Sequence, residues 1–160
     1  MKDKYTVAQL DVARFMGRWY EIARFDNRFE KGLSNVTADY FLRSDGKILV
    51  INSGFNEWRP RVVIGKAYQP SPIDNPGRLK VSFFLWFYSD YYIFELGKDY
   101  EYAVIGSHSD KYLWILSRTP SLAEDRIAEI NKNLCRRGYD PSLLSQTSQS
   151  RNIKNSRTAT

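Results

Sequence analysis

Short runs of apolar and aromatic residues, alternating with polar ones or rich in β-branched side chains, recur along the chain with turn residues between them. They read as strands at 17–25, 35–43, 47–56, 61–69, 78–86, 91–96, 100–107 and 111–117. Such residues fit a pleated, half-buried surface better than a helix. The separators Ser44-Asp45-Gly46, 57–60, 70–77, Ser89-Asp90, Gly97-Lys98-Asp99 and 108–110 carry turn chemistry. Glycine supplies positive φ, proline a fixed φ, and Asp, Asn or Ser a local hydrogen bond. Only the 26–34 connection is long. Strands joined in sequence by short links form a meander, and closure removes both exposed edges. The expected fold is all-β: an eight-stranded antiparallel up-and-down barrel, a calyx with room for one small ligand.

One helix is expected after the strands. Ser121-Leu122-Ala123-Glu124 reads as a capping box, with the Ser121 hydroxyl accepting from first-turn amides and Glu124 reaching back. Ile127, Ile130 and Leu134 form an apolar stripe, and Gly138 supplies a stop. Only the barrel wall can cover that stripe, so this C-terminal α-helix is expected outside the barrel. Cys135, at its end, reads as a packed or half-exposed thiol.

Topology alone brings distant residues together. The first strand leaves one end of the barrel and the eighth returns to it, so Trp19 and Arg118 should meet there. The hairpin around 97–100 reaches the same end. A guanidinium over an indole would make a flat plug, worth about 0.5–2 kcal/mol. The links at 26–34, 57–60, 87–90 and 108–110 then bound the opposite, open end. Strand alternation points Leu116, Trp114 and Tyr112 inward if Arg118 points inward.

Composition narrows the chemistry. The 160 residues suit one domain, with 42% apolar and 26% charged residues in the range of a folded globular chain. No apolar run approaches the roughly 20 residues of a spanning helix. One Cys excludes a disulfide framework and a multi-thiolate zinc site, and one His excludes multi-histidine metal cages. No metal and no cofactor is expected. His108, beside Asp110 in an end link, reads as a solvated turn residue. Half of the net charge of +6 lies in the acid-free tail, on Arg151, Lys154 and Arg157. Residues 1–147 are expected to form the domain, and 148–160 a frayed basic terminus; a weak tether to anionic membrane surfaces is the alternative for that tail. No dense basic stripe lies on a structured element, which argues against nucleic acid.

At the plug residues the chain resembles the lipocalin family. Gly17-Arg18-Trp19-Tyr20 is similar to the G-x-W signature, Asp99-Tyr100 to the second family motif, and Arg118 within Leu116-Ser117-Arg118-Thr119-Pro120 to the third. The segments WYEIARFDNRFEKG, NVTADY, GKAY, LKVSFF and YLWILSRTP resemble bacterial outer-membrane lipocalins and, more distantly, the apolipoprotein D group. The resemblance spans roughly residues 7 to 145. It implies a calyx that binds a fatty acid, a lysophospholipid or another hydrophobic molecule. Gly17, Trp19, Asp99, Tyr100 and Arg118 would then form the structural base of the barrel.

The same resemblance implies a pocket tryptophan at Trp114, aromatic lining at Tyr40, Phe83 and Tyr91, and polar lining at Asn52 and Asn56, with Tyr112 added by alternation. On the sixth strand composition alone puts Phe94 inside and Glu95 outside, opposite to the phase that Tyr91 implies, so its phase stays open. Phe83 or Tyr112 could be plain barrel filling, whereas Tyr40 and Trp114 are the better ligand candidates, because a phenol hydroxyl and an indole N–H suit an amphiphilic guest. Asn52 and Asn56 on an inward face argue for a wet or occupied interior, since a dry one would cost about 1–3 kcal/mol per unsatisfied amide.

Two departures from the family carry further expectations. Lipidated relatives begin with a signal peptide and an N-terminal Cys, whereas MKDKYTVAQL has neither. The chain is expected in the cell envelope if it is the mature part of such a precursor, with an unanchored cytoplasmic form as the alternative. Relatives often add an aromatic terminal strand, but 139–149 ends in Ser, Gln and Thr, so no extra strand is expected. Charges in the open-end links cancel, five against five, which predicts no anion-steering field. The favoured function is a non-enzymatic lipid-binding calyx, as a monomer or weak homodimer. The alternatives are an interaction module with a filled barrel, and an enzyme in the same shell, for which Cys135 on the outer helix is misplaced.

Overall fold

The alternating runs do form strands, and pairing with sequence neighbours closes them into a barrel. A computed structural model describes residues 1–84 and 87–159. Its strands are β1 (Gly17–Phe25), β2 (Leu33–Leu42), β3 (Ile48–Asn56), β4 (Arg59–Tyr68), β5 (Arg78–Phe84), β6 (Phe87–Leu96), β7 (Tyr102–Gly106) and β8 (Leu113–Ser117). Each is antiparallel to the next, and β8 returns to pair with β1. Trp19, Tyr40, Ile48, Val50, Ile93, Ile105 and Leu116 fill the interior. A second cluster, with Tyr92, Phe94, Val104, Leu113 and Ile115, lies on the outer wall beneath helix α2 (Glu124–Arg136).

Several boundaries differ from the sequence reading. Ser89 and Asp90 are not a turn but lie in β6, opposite Val81 and Lys80, where the Lys80–Asp90 ion pair spans the strands. The β5–β6 link falls on 85–86, outside the described residues, as does Trp86, the expected end of the fifth strand. Arg59 and Pro60 belong to β4 and pair with Asn56 and Phe55, which leaves Glu57-Trp58 as the turn, with Glu57 at φ 58°.

Bulges decide which side chains face inward. Between Ile93 and Glu95 the β6 register gains one residue against β7. Tyr91 and Ile93 therefore face the interior while Phe94 and Glu95 both lie outside. Glu95 accepts there from the Tyr102 hydroxyl and from Asn133 of α2. Phe94 leans onto Gly106, whose missing Cβ leaves room for the ring. This corrects the inside position that composition suggested for Phe94. A similar extra residue at Ile22 of β1 sets Glu21 opposite Leu116 and Arg24 opposite Trp114, both inward, with Ala23 and Phe25 beneath α2.

The ends and edges carry elements absent from the strand pattern. A single turn, α1 (Val12–Phe15), closes the base; Asp11 caps it by accepting from the Arg14 amide. In α2, Ile130 and Leu134 are buried against the wall and Gly138 stops the helix at φ 89°. The capping box does not form. Ala123 occupies the N-cap, and the Ser121 carbonyl instead accepts from Thr119, whose corner is held by Ser117.

The frayed tail and the missing strand are also corrected. β9 (Leu144–Gln146) pairs with Ala23, Arg24 and Phe25 of β1. Near the mouth β2 has left the β1 edge, since their pairing covers only Gly17–Tyr20 of β1. The tail seals this seam: Thr147 donates to Ile22, the Asn35 amide to Ser148, and buried Gln149 to the carbonyls of both Glu21 and Val36. Helix α3 (Ser150–Thr158) follows, with the Arg151 amide on Asn35 Oδ1 and its guanidinium over Phe55.

Candidate ligand-binding site

The floor of the site is the plug. The Arg118 guanidinium lies 3.8 Å from the Trp19 ring centre. It donates to the carbonyls of Tyr100, Met16, Arg18 and Arg14, tying the β6–β7 hairpin and the chain around α1 to the strand ends. Burial, opposed by the nearby Tyr91 and Tyr40 hydroxyls, draws its pKa below the usual arginine value. Gly17, at φ 90°, sits where a Cβ would lie 3.5 Å from Arg118 Nη1. Tyr100, at φ 57°, also accepts from the Asp11 amide through its hydroxyl, while Asp99 is exposed and its amide donates to Glu101. The Trp19 indole donates to the Phe15 carbonyl at 2.9 Å.

Above the plug lies an apolar pocket of about 20 Å³, between Phe15 and Met16 below and Tyr40, Val50, Leu79 and Tyr91 around it. That is space for about one water molecule. The Tyr40 and Tyr91 hydroxyls meet at 2.9 Å across it. Burial raises both pKa values, Tyr40 to about 12 and Tyr91 well above its ordinary value, so both phenols stay neutral. Phe15, Met16 and Leu79 were not anticipated from the sequence.

The other anticipated positions sit higher in the barrel. Asn52 continues the inward face of Ile48 and Val50 and is half-buried; Asn56, on the same face, is exposed at the rim. Phe83 packs on the interior beside Gly65, where a Cβ would meet its ring at 2.6 Å. Tyr112 stacks on half-buried Trp114 at 5.8 Å. The structure thus brings Tyr40 and Tyr91 together at the pocket and leaves Asn56 and Tyr112 away from it.

Between pocket and mouth lies a charged group that the sequence pattern did not announce. Glu21 and Arg24 are buried, and the Arg24 guanidinium reaches Glu21 Oε2, Asp26 Oδ1 and the carbonyls of Glu30 and Leu33. Glu30, on the long connection, accepts the Trp114 indole N–H at 2.7 Å. Burial first, and then the Glu30 carboxylate, hold the Glu21 carboxyl well above its ordinary pKa; Arg24 opposes this. Among the described residues no group of three or more His, Cys, Asp or Glu side chains is placed to hold a metal ion.

A closed eight-stranded barrel with an outer helix, a G-x-W tryptophan and an arginine plug defines one family, and residues 10–149 match its lipocalin-like domain. The chain is a lipocalin. It is 42% identical over 146 residues to the outer membrane lipoprotein Blc of Vibrio cholerae, covering 86% of this chain and 82% of that one. It is 35% identical over 150 residues to apolipoprotein D of Mus musculus, covering 87% and 77%. The solved structure of insecticyanin from the tobacco hornworm Manduca sexta superimposes with a TM-score of 0.74, at 21% identity, over 91% of this lipocalin and 84% of that chain. Lipocalins are generally binding or transport proteins for small hydrophobic ligands rather than enzymes.

Proposed function

We propose that the barrel binds a single-chain amphiphile, a fatty acid or a lysophospholipid, with the acyl chain running down to the Tyr40–Tyr91 pocket and the polar head at the mouth. The observation that carries this reading is the gradient along the barrel axis: apolar walls above the arginine plug, then a buried charged collar, then a rim of exposed polar and charged side chains. Arg24 is committed within the collar, so an anionic head finds its cation outside, among the rim arginines. The relatives named outer membrane lipoprotein and apolipoprotein D favour a lipid guest, and the first favours a place in the cell envelope. Among the described residues no interior side-chain hydrogen bond joins a nucleophile to a base, which favours binding without turnover.

The test is a titration of delipidated protein with fatty acids and lysophospholipids of increasing chain length. Burial of about 0.8 kcal/mol per methylene predicts affinity that climbs with length and then levels off at the floor. Thermal stability should rise with ligand by mass action. Silence in both tryptophan emission and thermal stability would favour the second reading, a packed interaction module, which the pocket of about 20 Å³ supports.

A further inference from the structure

Counted along the sequence, the charges at the mouth cancel, but the folded chain removes most of the acids from that balance. Asp26 is held by Arg24, Glu30 by Trp114 and Arg24, Asp90 by Lys80, and Asp110 by Lys4 and Lys2. Arg28, Lys31, Arg59 and Arg61 are exposed, and none of them forms an ion pair within 4.0 Å among the described residues. Among the described residues Glu57 is the rim acid outside these pairs, and Arg24, shared by Asp26 and Glu30, offsets only one of those two. The four exposed bases still outnumber the two remaining negative charges, so the mouth faces solvent as a cationic surface.

Two aromatic side chains stand in this surface. Phe29 is 66% exposed and Trp58 is 68% exposed, at the tips of the β1–β2 connection and the β3–β4 turn. Leu33 pairs with Asn56, so both tips rise from neighbouring strands on one side of the opening. Each ring carries its own guanidinium, Arg28 at 4.9 Å from Phe29 and Arg59 at 5.2 Å from Trp58. On the outer face of β4, Val62 and Ile64 extend the apolar area. An aromatic ring with a stacked arginine matches the boundary between acyl chains and phosphates, where the ring sinks and the guanidinium pairs with a phosphate.

We propose that the mouth docks on an anionic phospholipid bilayer, with Phe29 and Trp58 entering the interface and Arg28, Lys31, Arg59 and Arg61 contacting lipid phosphates. A second copy placed mouth to mouth would set these bases against their equivalents, which charge complementarity disfavours. Docking places the opening of the barrel at the lipid surface, and it stands on the chemistry of the rim whether or not the cavity holds lipid.

Vesicle flotation of the full chain tests it. The protein should float with mixed phosphatidylcholine–phosphatidylglycerol vesicles at low salt. Binding to pure phosphatidylcholine, or to the mixed vesicles at high salt, should be weaker on the order of tenfold or more. The pair Phe29→Ser and Trp58→Ser, and separately Arg28→Gln with Arg59→Gln, should each lose a comparable factor while keeping the thermal midpoint. Lipid composition and salt act on the wild-type chain, so the result does not depend on any variant folding. Equal binding to both vesicle types, or no binding to either, would overturn the docking, as would a vesicle-free dimer that the aromatic pair of substitutions dissociates. A chain that floats but takes no lysophospholipid after delipidation keeps the docking and sinks the cavity reading; one that takes lysophospholipid but does not float does the reverse.

Discussion

Arg118 sits over the face of Trp19 at 3.8 Å and at the same time satisfies backbone carbonyls from the N-terminal segment around α1 and from the β6–β7 hairpin. Replacing it with Ala removes the stacking and leaves those acceptors to water. The expected cost is about 1–3 kcal/mol of folding stability. Ligand affinity should change less, because the guanidinium lies below the pocket. Urea unfolding of Arg118→Ala beside lipid titration separates the two effects; an unchanged midpoint with lost binding would move Arg118 into the site.

Gln149 bridges a seam that β1 and β2 leave open. Its amide donates at 2.8 Å to both Glu21 and Val36 carbonyls. Gln149→Ala strands both acceptors in a buried position, at about 1–3 kcal/mol. Lys154→Gln, on the exposed side of α3, should stay within about 0.5 kcal/mol of wild type. Denaturation midpoints of the two variants check the contrast.

Glu21 makes stability depend on pH in a defined direction. Its folded pKa is raised well above the ordinary 4.5, so the native state holds a proton that the unfolded chain releases. Its contribution is complete below the ordinary carboxyl value and is lost as pH rises through the raised folded value. Glu21→Gln keeps the neutral shape and removes the titration. The variant should therefore lose less stability than wild type as pH rises above the ordinary carboxyl range. Denaturant unfolding across that range would show two parallel curves if the carboxyl does not titrate with folding.

Much of the wall was legible in the chain because period-two alternation is local. Ile48, Val50 and Asn52 share a face on spacing alone, and the meeting of Trp19 with Arg118 follows from counting strands. The collar was hidden by a bulge: one extra residue at Ile22 reverses the phase of β1 and turns Arg24 inward. Composition misread Ser89-Asp90 because Asp90 answers a lysine ten positions away on the neighbouring strand. The tail looked disordered because its stabilising contacts are not local; Gln149 reaches residues 128 and 113 positions back. The single turn of α1 is too short to leave a helical period.

If the barrel takes a lipid as proposed, the Tyr40–Tyr91 pair sets how far the guest can descend. With about 20 Å³ free, an acyl chain reaches the floor only if a phenol swings aside and the 2.9 Å contact breaks. Tyr91→Ala opens that volume in advance. Without ligand the variant should lose about 3–5 kcal/mol, as for other large aromatic truncations in a core. With a long-chain lysophospholipid it should regain more stability than wild type does, because filling the cavity restores buried contacts. The chain length at which affinity levels off should also move upward. Thermal melts with and without a chain-length series measure both effects, and a plateau at the wild-type length would mean that acyl chains stop above the tyrosine pair.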